Sequence, residues 1–389
     1  MKEIYADNAA TTKMREEVII EMKKFYSVEY GNPSSFHYRG LEAKRAVENA
    51  RKKVAEILNC KEDEIVFTGG GTESINFALK GIAFANREKG MHIITSKIEH
   101  PAVLNSCKWL EKQGFEVSYI DVDENGIVKL DELKNNIRED TILISMMSAN
   151  NEIGVIQPIG EIGKIARDKE IYFHTDACQI AGALDIDVSK LRVDLLTLNG
   201  SKIYGPKGIG ILYIKQGTNI EPLIHGGGQE RGLRGGTENV PAIVGFAKAL
   251  ELAQDERLKG NERLIKLRDK LIDSLLKIKD TKLNGHRTNR LPNNVNISFF
   301  DIEGESILLH LNEKEIYAST GSACSSHNLE PSHVLLAIGL SHDIAHGSIR
   351  FSLGRDIKEE DIEYIIEIMH KIVENLRKIS PVKIKGGLK

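Results

Sequence analysis

The sequence predicts an α/β protein in which a large domain built on a mostly parallel sheet carries a smaller α/β domain. Three observations predict it. Short β-branched runs alternate with helical patterns from about residue 60 to 215, and the ends of those runs carry glycine turns, acids and a lysine. A chain of 389 residues is also too long for one ordinary core. The alternation is the βαβ rhythm of a sheet covered by helices on both faces. The expected division is a large domain over residues 15–256 and a small domain made of residues 1–14 and 257–389.

The strand runs, in order, are 65–68, 92–95, 117–120, 141–144, 171–174 and 194–197, each rich in Ile, Val, Leu, Thr or aromatic residues. Residues from about 241 to 280 read as long, charged, amphipathic helices. A second α/β pattern follows, with strands at 295–300 and 349–352 and a closing helix at 359–378. The tail after Pro381, with Lys383, Lys385 and Lys389, is expected to be solvated.

Composition narrows the function. With 41% hydrophobic and 28% charged residues and no apolar run long enough to cross a bilayer, the chain reads as globular, with no membrane partner expected. A net charge of -3 makes no electrostatic case for nucleic acid as the main partner. The first residues lack the apolar core of a signal peptide, so a cytoplasmic location is expected. The cysteines Cys60, Cys107, Cys178 and Cys324 show neither C-x-x-C pairing nor metal-ligand spacing, and no metal site is expected. The first three sit in segments where a cysteine packs as a small hydrophobe. Cys324 differs, because Gly321, Ser322, Ala323, Ser325 and Ser326 surround it with small residues that suit a thiol which must travel, although an incidental surface thiol would sit in the same setting.

In open α/β sheets ligands lie beyond the carboxyl ends of the strands, so the residues after each run are the ones that count. The first run is followed by Gly69-Gly70-Gly71-Thr72-Glu73-Ser74 and a helical pattern. Glycines at a strand-to-helix turn let backbone N–H groups approach an anion, and the Thr72 hydroxyl adds a donor. Neither the dinucleotide spacing nor a Gly-Lys-Ser/Thr ending is present, which leaves a simple phosphate cradle, or a tight turn that needs glycine. Asp176 ends one run and Lys202 follows the next. An acid and a lysine so placed suit pyridoxal phosphate, in which the lysine forms a Schiff base and the carboxylate keeps the pyridinium nitrogen protonated, although a cleft salt bridge would use the same pair. His100 can stack on such a ring and move protons, or cap a helix. Asn151 and Gln179 can donate hydrogen bonds to a ring oxygen. Arg350 offers a guanidinium fork for the carboxylate of an amino acid substrate.

Taken together these residues resemble the pyridoxal-phosphate-dependent cysteine desulfurases of the NifS/IscS type, within the class V aminotransferases. The resemblance runs nearly end to end: Asp7-Asn8-Ala9-Ala10-Thr11-Thr12, Gly31-Asn32-Pro33-Ser34-Ser35, Gly71-Thr72-Glu73, Glu99-His100, Asn150 to Gly154, Asp176 to Gln179, Lys202 with Tyr204 to Gly208, His225 to Glu230, Ser322 to Ser326 and Arg350 to Arg355. It implies fold type I of the pyridoxal-phosphate enzymes, with Lys202, His100 and Cys324 as catalytic residues. Cofactor binding would fall to Lys202, Gly71, Thr72, His100, Asn151, Asp176, Gln179, Asn199 and Ser201, and substrate binding to Arg350 and Asn151. It further implies a homodimer in which Thr237 reaches the partner subunit's cofactor phosphate, and a sulfur acceptor protein such as an iron-sulfur cluster scaffold. One departure stands out: the family usually has histidine before the Schiff-base lysine and serine two residues before that histidine, where this chain has Ser201 and Asn199.

The reaction so implied removes sulfur from L-cysteine, giving L-alanine and a persulfide on Cys324. Two other readings fit parts of the pattern: a selenocysteine lyase or cysteine sulfinate desulfinase on the same scaffold, and a non-catalytic scaffold of a sulfur pathway. The second has no chemical use for Lys202, Asp176, His100 and Arg350 together.

Overall fold

The computed structural model describes residues 3–321 and 331–379. Among them are twelve strands: β1 (Ile4–Tyr5), β2 (Ile65–Thr68), β3 (His92–Ser96), β4 (Glu116–Ile120), β5 (Thr141–Ser145), β6 (Tyr172–Asp176), β7 (Leu195–Asn199), β8 (Gly210–Ile214), β9 (Thr281–Leu283), β10 (Asn294–Phe299), β11 (Ile316–Tyr317) and β12 (Ser348–Ser352). The large sheet runs β2-β8-β7-β6-β5-β3-β4. Every pair in it is parallel except those made by β8, which lies antiparallel between β2 and β7. All six predicted strands are present, within two residues of their expected starts. β8 is the addition: its run Gly-Ile-Leu-Tyr-Ile follows a turn at Gly208, whose φ of +75° favours glycine, and the turn sends the chain straight back beside β7.

The strands are buried on both faces because helices cover both, and β2, β3, β5 and β8 are buried at every position. The chain leaves β3 toward β4 and returns on the other side to β5, so strand order reverses beside β3. Ligands in such sheets sit at this kind of reversal. One apolar core lies on each face of the large sheet, one with Phe173, Ile144 and Phe246, the other with Phe77, Leu79 and Ile93.

A separate core packs behind the three-stranded antiparallel sheet β12-β10-β9, from Phe299 and Phe351 to Ile365 and Met369 of the closing helix Glu359–Ile379. The chain's start joins it. β1 pairs with β11, and Ser352 N–H donates to Ala6 O at 2.7 Å. The stretch expected as several helices is one helix, Val240–Leu275, opened by Pro241 and capped by Asn239, whose side chain accepts from Ala242 N–H. Its first half buries Phe246 and Leu250 in the large core and its last part buries Leu271 and Leu275 in the small one, while Leu258 between them is exposed. At about 1.5 Å per residue it is a strut between the two cores.

Candidate active site

The carboxyl ends of the parallel strands open into a cavity of about 410 Å³, lined by residues from the turns after β2, β3, β5, β6 and β7. A larger space of about 800 Å³ lies against the helix Ile159–Asp168, edged by Lys164, Lys190 and Asp185, and holds none of the predicted site residues. Chemistry, not size, selects the smaller one.

At the end of β2 the chain turns through Gly70, with φ of +144°, directly into the helix Gly71–Ala85. That geometry brings Gly69, Gly70, Gly71 and Thr72 to the cavity wall. A Cβ at Gly71 would stand 3.2 Å from both Asn199 Nδ2 and Cys178 Sγ, so any larger residue would press on the side chains behind the cradle. Glu73 braces the turn by accepting from Gly69 N–H at 2.9 Å while pairing with Arg234 at 2.9 Å. A few residues away, Glu230 accepts from Phe67 N–H at 2.9 Å and pairs with Arg51 at 2.8 Å, both side chains almost fully buried. The glycine-rich loop 225–237 is thereby anchored to β2.

His100 caps the helix Pro101–Glu111, its Nδ1 accepting from Ala102 N–H at 3.1 Å. The bond places the proton of the neutral ring on Nε2. Burial pushes His100 below the usual histidine range, against the opposing pull of Asp176. Asp176 ends β6 nearly buried, with one oxygen held by Cys178 N–H at 3.0 Å. Asn199 ends β7, and Ser201 Oγ lies 3.5 Å from its side-chain oxygen. Lys202 Nζ reaches into the cavity and donates to Ala10 O.

The N-terminal segment closes one wall. Gln179 Nε2 donates to Ala9 O at 3.1 Å, Thr12 N–H donates to Ser201 O at 2.9 Å, and Tyr204 N–H donates to Thr12 Oγ1 at 2.8 Å. Against the same N-terminal segment, Arg350 is 2% exposed. It donates to Asp7 Oδ1 at 2.8 Å and to Asn151 O at 3.2 Å, and its Nε is buried with no hydrogen-bond partner.

The structure therefore brings Gly71, Thr72, His100, Asn151, Asp176, Gln179, Asn199, Lys202 and Arg350 to one cavity. Ser201 and Thr237 do not line it; Thr237 is exposed. Cys324 lies outside the described residues. Sequence reasoning passed over Asp7, Glu152 and Cys178 as site residues, although their neighbours Asn151, Asp176 and Gln179 had marked the same turns. Cys178 is buried and its thiol is pushed well up by burial, which makes it inert here.

The donor set fits pyridoxal phosphate: a glycine cradle with a hydroxyl for a phosphate, an acid for a ring nitrogen, a lysine within the same cavity, and an orphaned guanidinium Nε beyond them. Comparison with known proteins agrees. The model of the class V aminotransferase family matches residues 4–365. A protein of Methanosarcina thermophila named cysteine desulfurase IscS is 59% identical over 384 residues, covering 99% of this chain and 95% of its own. A solved NifS-like protein superposes with a TM-score of 0.91 at 42% identity, covering 96% of this chain and 100% of its own. SspA, solved in complex with cysteine, gives 0.80 at 39% identity, covering 90% and 99%. With a family model spanning almost the whole chain and a desulfurase relative at this identity, the protein belongs to the class V aminotransferases, in their pyridoxal-phosphate-dependent cysteine desulfurase branch.

Proposed function

We propose that this chain takes sulfur from L-cysteine, releases L-alanine and holds the sulfur as a persulfide on Cys324, for transfer to an acceptor such as an iron-sulfur cluster scaffold protein. The observation that carries the reading is the placement of Lys202, Asp176 and Arg350 around one cavity. Gly71, Thr72 and Asn199 would hold the phosphate, Asp176 the ring nitrogen, His100 the ring face, and Gln179 with Asn151 the ring oxygen. Ser201 would orient Asn199 by donating to its oxygen, leaving Nδ2 for the cradle. When bound, pyridoxal phosphate supplies an electrophilic carbon and a ring that accepts electrons from the substrate's Cα.

The protein's own part is orientation and proton movement. Arg350 fixes the substrate carboxylate, and Lys202 Nζ takes the Cα proton. The Cys324 thiolate attacks the substrate sulfur; an S–S bond forms as the C–S bond breaks, and the carbon takes a proton to become the methyl group of alanine.

The domain division at residues 15–256 against 1–14 and 257–389 is supported by the separate core behind β10 and β12. A homodimer is supported by Tyr26, Tyr30, Phe36 and Tyr38, large apolar side chains each exposed in the stretch 26–38, with Phe36 97% exposed. It would bring Thr237 of the partner subunit to the phosphate. No helix among the described residues is long and apolar enough to cross a membrane, and a cytoplasmic enzyme is the reading we adopt.

The test is incubation of the purified protein with pyridoxal phosphate, L-cysteine and a reductant, with alanine and sulfide measured together. Equal yields, lost in Cys324→Ala, are expected. Undiminished persulfide on the Cys324→Ala protein would overturn the assignment.

A further inference from the structure

Beside Arg350 lies a second buried carboxyl group that the reaction above does not use. Glu152 is 3% exposed and lines the cavity between Asn151 and Arg350. Its backbone is pinned: Asn150 Oδ1 accepts from its N–H at 2.8 Å, and Asn294 and Asn296 donate to its carbonyl at 3.0 and 3.1 Å. Its carboxyl group accepts from Ser332 Oγ, and a Cβ at Gly321 would stand 2.8 Å from the same oxygen.

The charges around it are few. Arg350 of β12 is the cation whose attraction it feels, and that guanidinium is already paired with Asp7 at 2.8 Å. The remaining titratable groups on the same cavity are Lys202, Asp176, His100, Glu73 and Cys178. When a substrate carboxylate arrives at Arg350, one buried guanidinium serves the half-buried Asp7 and the newcomer, with the buried Glu152 carboxyl on the same cavity wall. A single positive charge does not offset three negative ones in a buried space.

We propose that Glu152 is a proton-linked positioning residue for the substrate carboxylate: neutral, it lets the carboxylate share Arg350 with Asp7; ionised, it competes for that guanidinium and weakens substrate capture as pH rises. Burial pushes the Glu152 carboxyl up to about 7, opposed by the Ser332 hydrogen bond and by Arg350. The switch therefore falls near neutral pH. The inference rests on the reading that Arg350 receives the substrate carboxylate.

The test measures KM and kcat of the holoenzyme for L-cysteine between about pH 6 and 8.5, in wild type, Glu152→Gln, Ser332→Ala and Arg350→Gln. The Kd of L-alanine by titration calorimetry serves as a readout independent of turnover. Ionisation of the substrate's amine and thiol is common to all variants and cancels in ratios. The ratio of wild-type to Glu152→Gln KM is expected to stay constant at the acid end and then climb, approaching about tenfold per pH unit above Glu152's titration, with the kcat ratio flat. In Ser332→Ala the climb moves to higher pH, because the hydroxyl that stabilises the carboxylate is gone. A flat ratio in a folded, cofactor-loaded Glu152→Gln overturns the proposal. Should that variant not fold, an undisplaced profile in Ser332→Ala overturns it. An unchanged KM in Arg350→Gln sinks the underlying reading and this one together, whereas a raised KM there with a flat Glu152 ratio sinks this one alone.

Discussion

The two ends of the cavity are built differently. At the proposed cofactor end, Gly71, His100, Asp176, Asn199 and Lys202 each lie within a few residues of a strand end in one seven-stranded sheet. Gly71, His100 and Asp176 are set by local devices, namely a glycine turn, a helix cap and a backbone N–H onto a carboxylate, while Lys202 donates to Ala10 O, 192 positions away. At the carboxylate end, Arg350 meets an acid 343 positions away and a carbonyl 199 positions away. Ser332 reaches Glu152 across 180. The sheet makes the first end stiff, and burial shifts His100 and the adjoining Glu99 there. The second is assembled from segments far apart in the chain and sets Asp7 and Glu152 on one side of the balance against Arg350 on the other.

The comparison breaks most severely if the stiff end fails to carry the chemistry. Lys202→Ala should lower kcat by roughly 10⁴-fold, the upper range for a positioned proton-transfer group, and abolish the visible absorbance of lysine-bound cofactor. Steady-state kinetics and a spectrum check both.

Next in size is the anchor beneath the cradle. Glu230→Ala takes from Arg51 its buried partner, leaving the more exposed Glu48 and the Ile65 carbonyl, and should cost about 2–3 kcal/mol of stability by chemical denaturation, with weakened cofactor retention. A loss under about 1 kcal/mol would mean that loop 225–237 is not held through this pair.

At the other end, Arg350→Gln removes a charged hydrogen-bond donor, and KM for L-cysteine should rise about 10- to 100-fold while cofactor absorbance persists. Loss of the absorbance as well would erase the distinction between the two ends.

The smallest effect concerns stability against pH. Glu99 is held up to about 8 and Glu152 to about 7, both by burial. Above the carboxyl range of an unfolded chain the folded state binds more protons than the unfolded one, so stability is full at acid pH and falls as pH rises toward 8. Each group contributes up to about 1.4 kcal/mol per pH unit in that window. Glu99→Gln should flatten the slope of denaturation midpoint against pH, its second carboxyl oxygen having no hydrogen-bond partner to lose. An unaltered slope would show that Glu99 ionises freely.

Much of this was legible before any coordinates. The βαβ rhythm placed β2 to β7, and the rule that ligands sit beyond strand carboxyl ends led to Thr72, His100, Asp176 and Lys202. β8 was not legible, because an apolar run beside a glycine turn does not say which neighbours it will pair with. Nor did the charged stretch after residue 240 reveal that a single helix would join two cores. Asn199 and Ser201 are alike as hydrogen-bonding residues in sequence, yet Asn199 ends the strand on the cavity while Ser201 lies in the helical turn Gly200–Lys202 and does not line it.

By itself the sequence determined the sheet, the turns at its edge and the chemistry offered there, since these follow from hydrophobic period, glycine and residue type within short spans. Only the tertiary structure decided that Asp7, Glu152 and Ser332 gather around Arg350. Contacts between segments hundreds of residues apart leave no local pattern, and the proton affinity of Glu152 is a property of the burial that those contacts create.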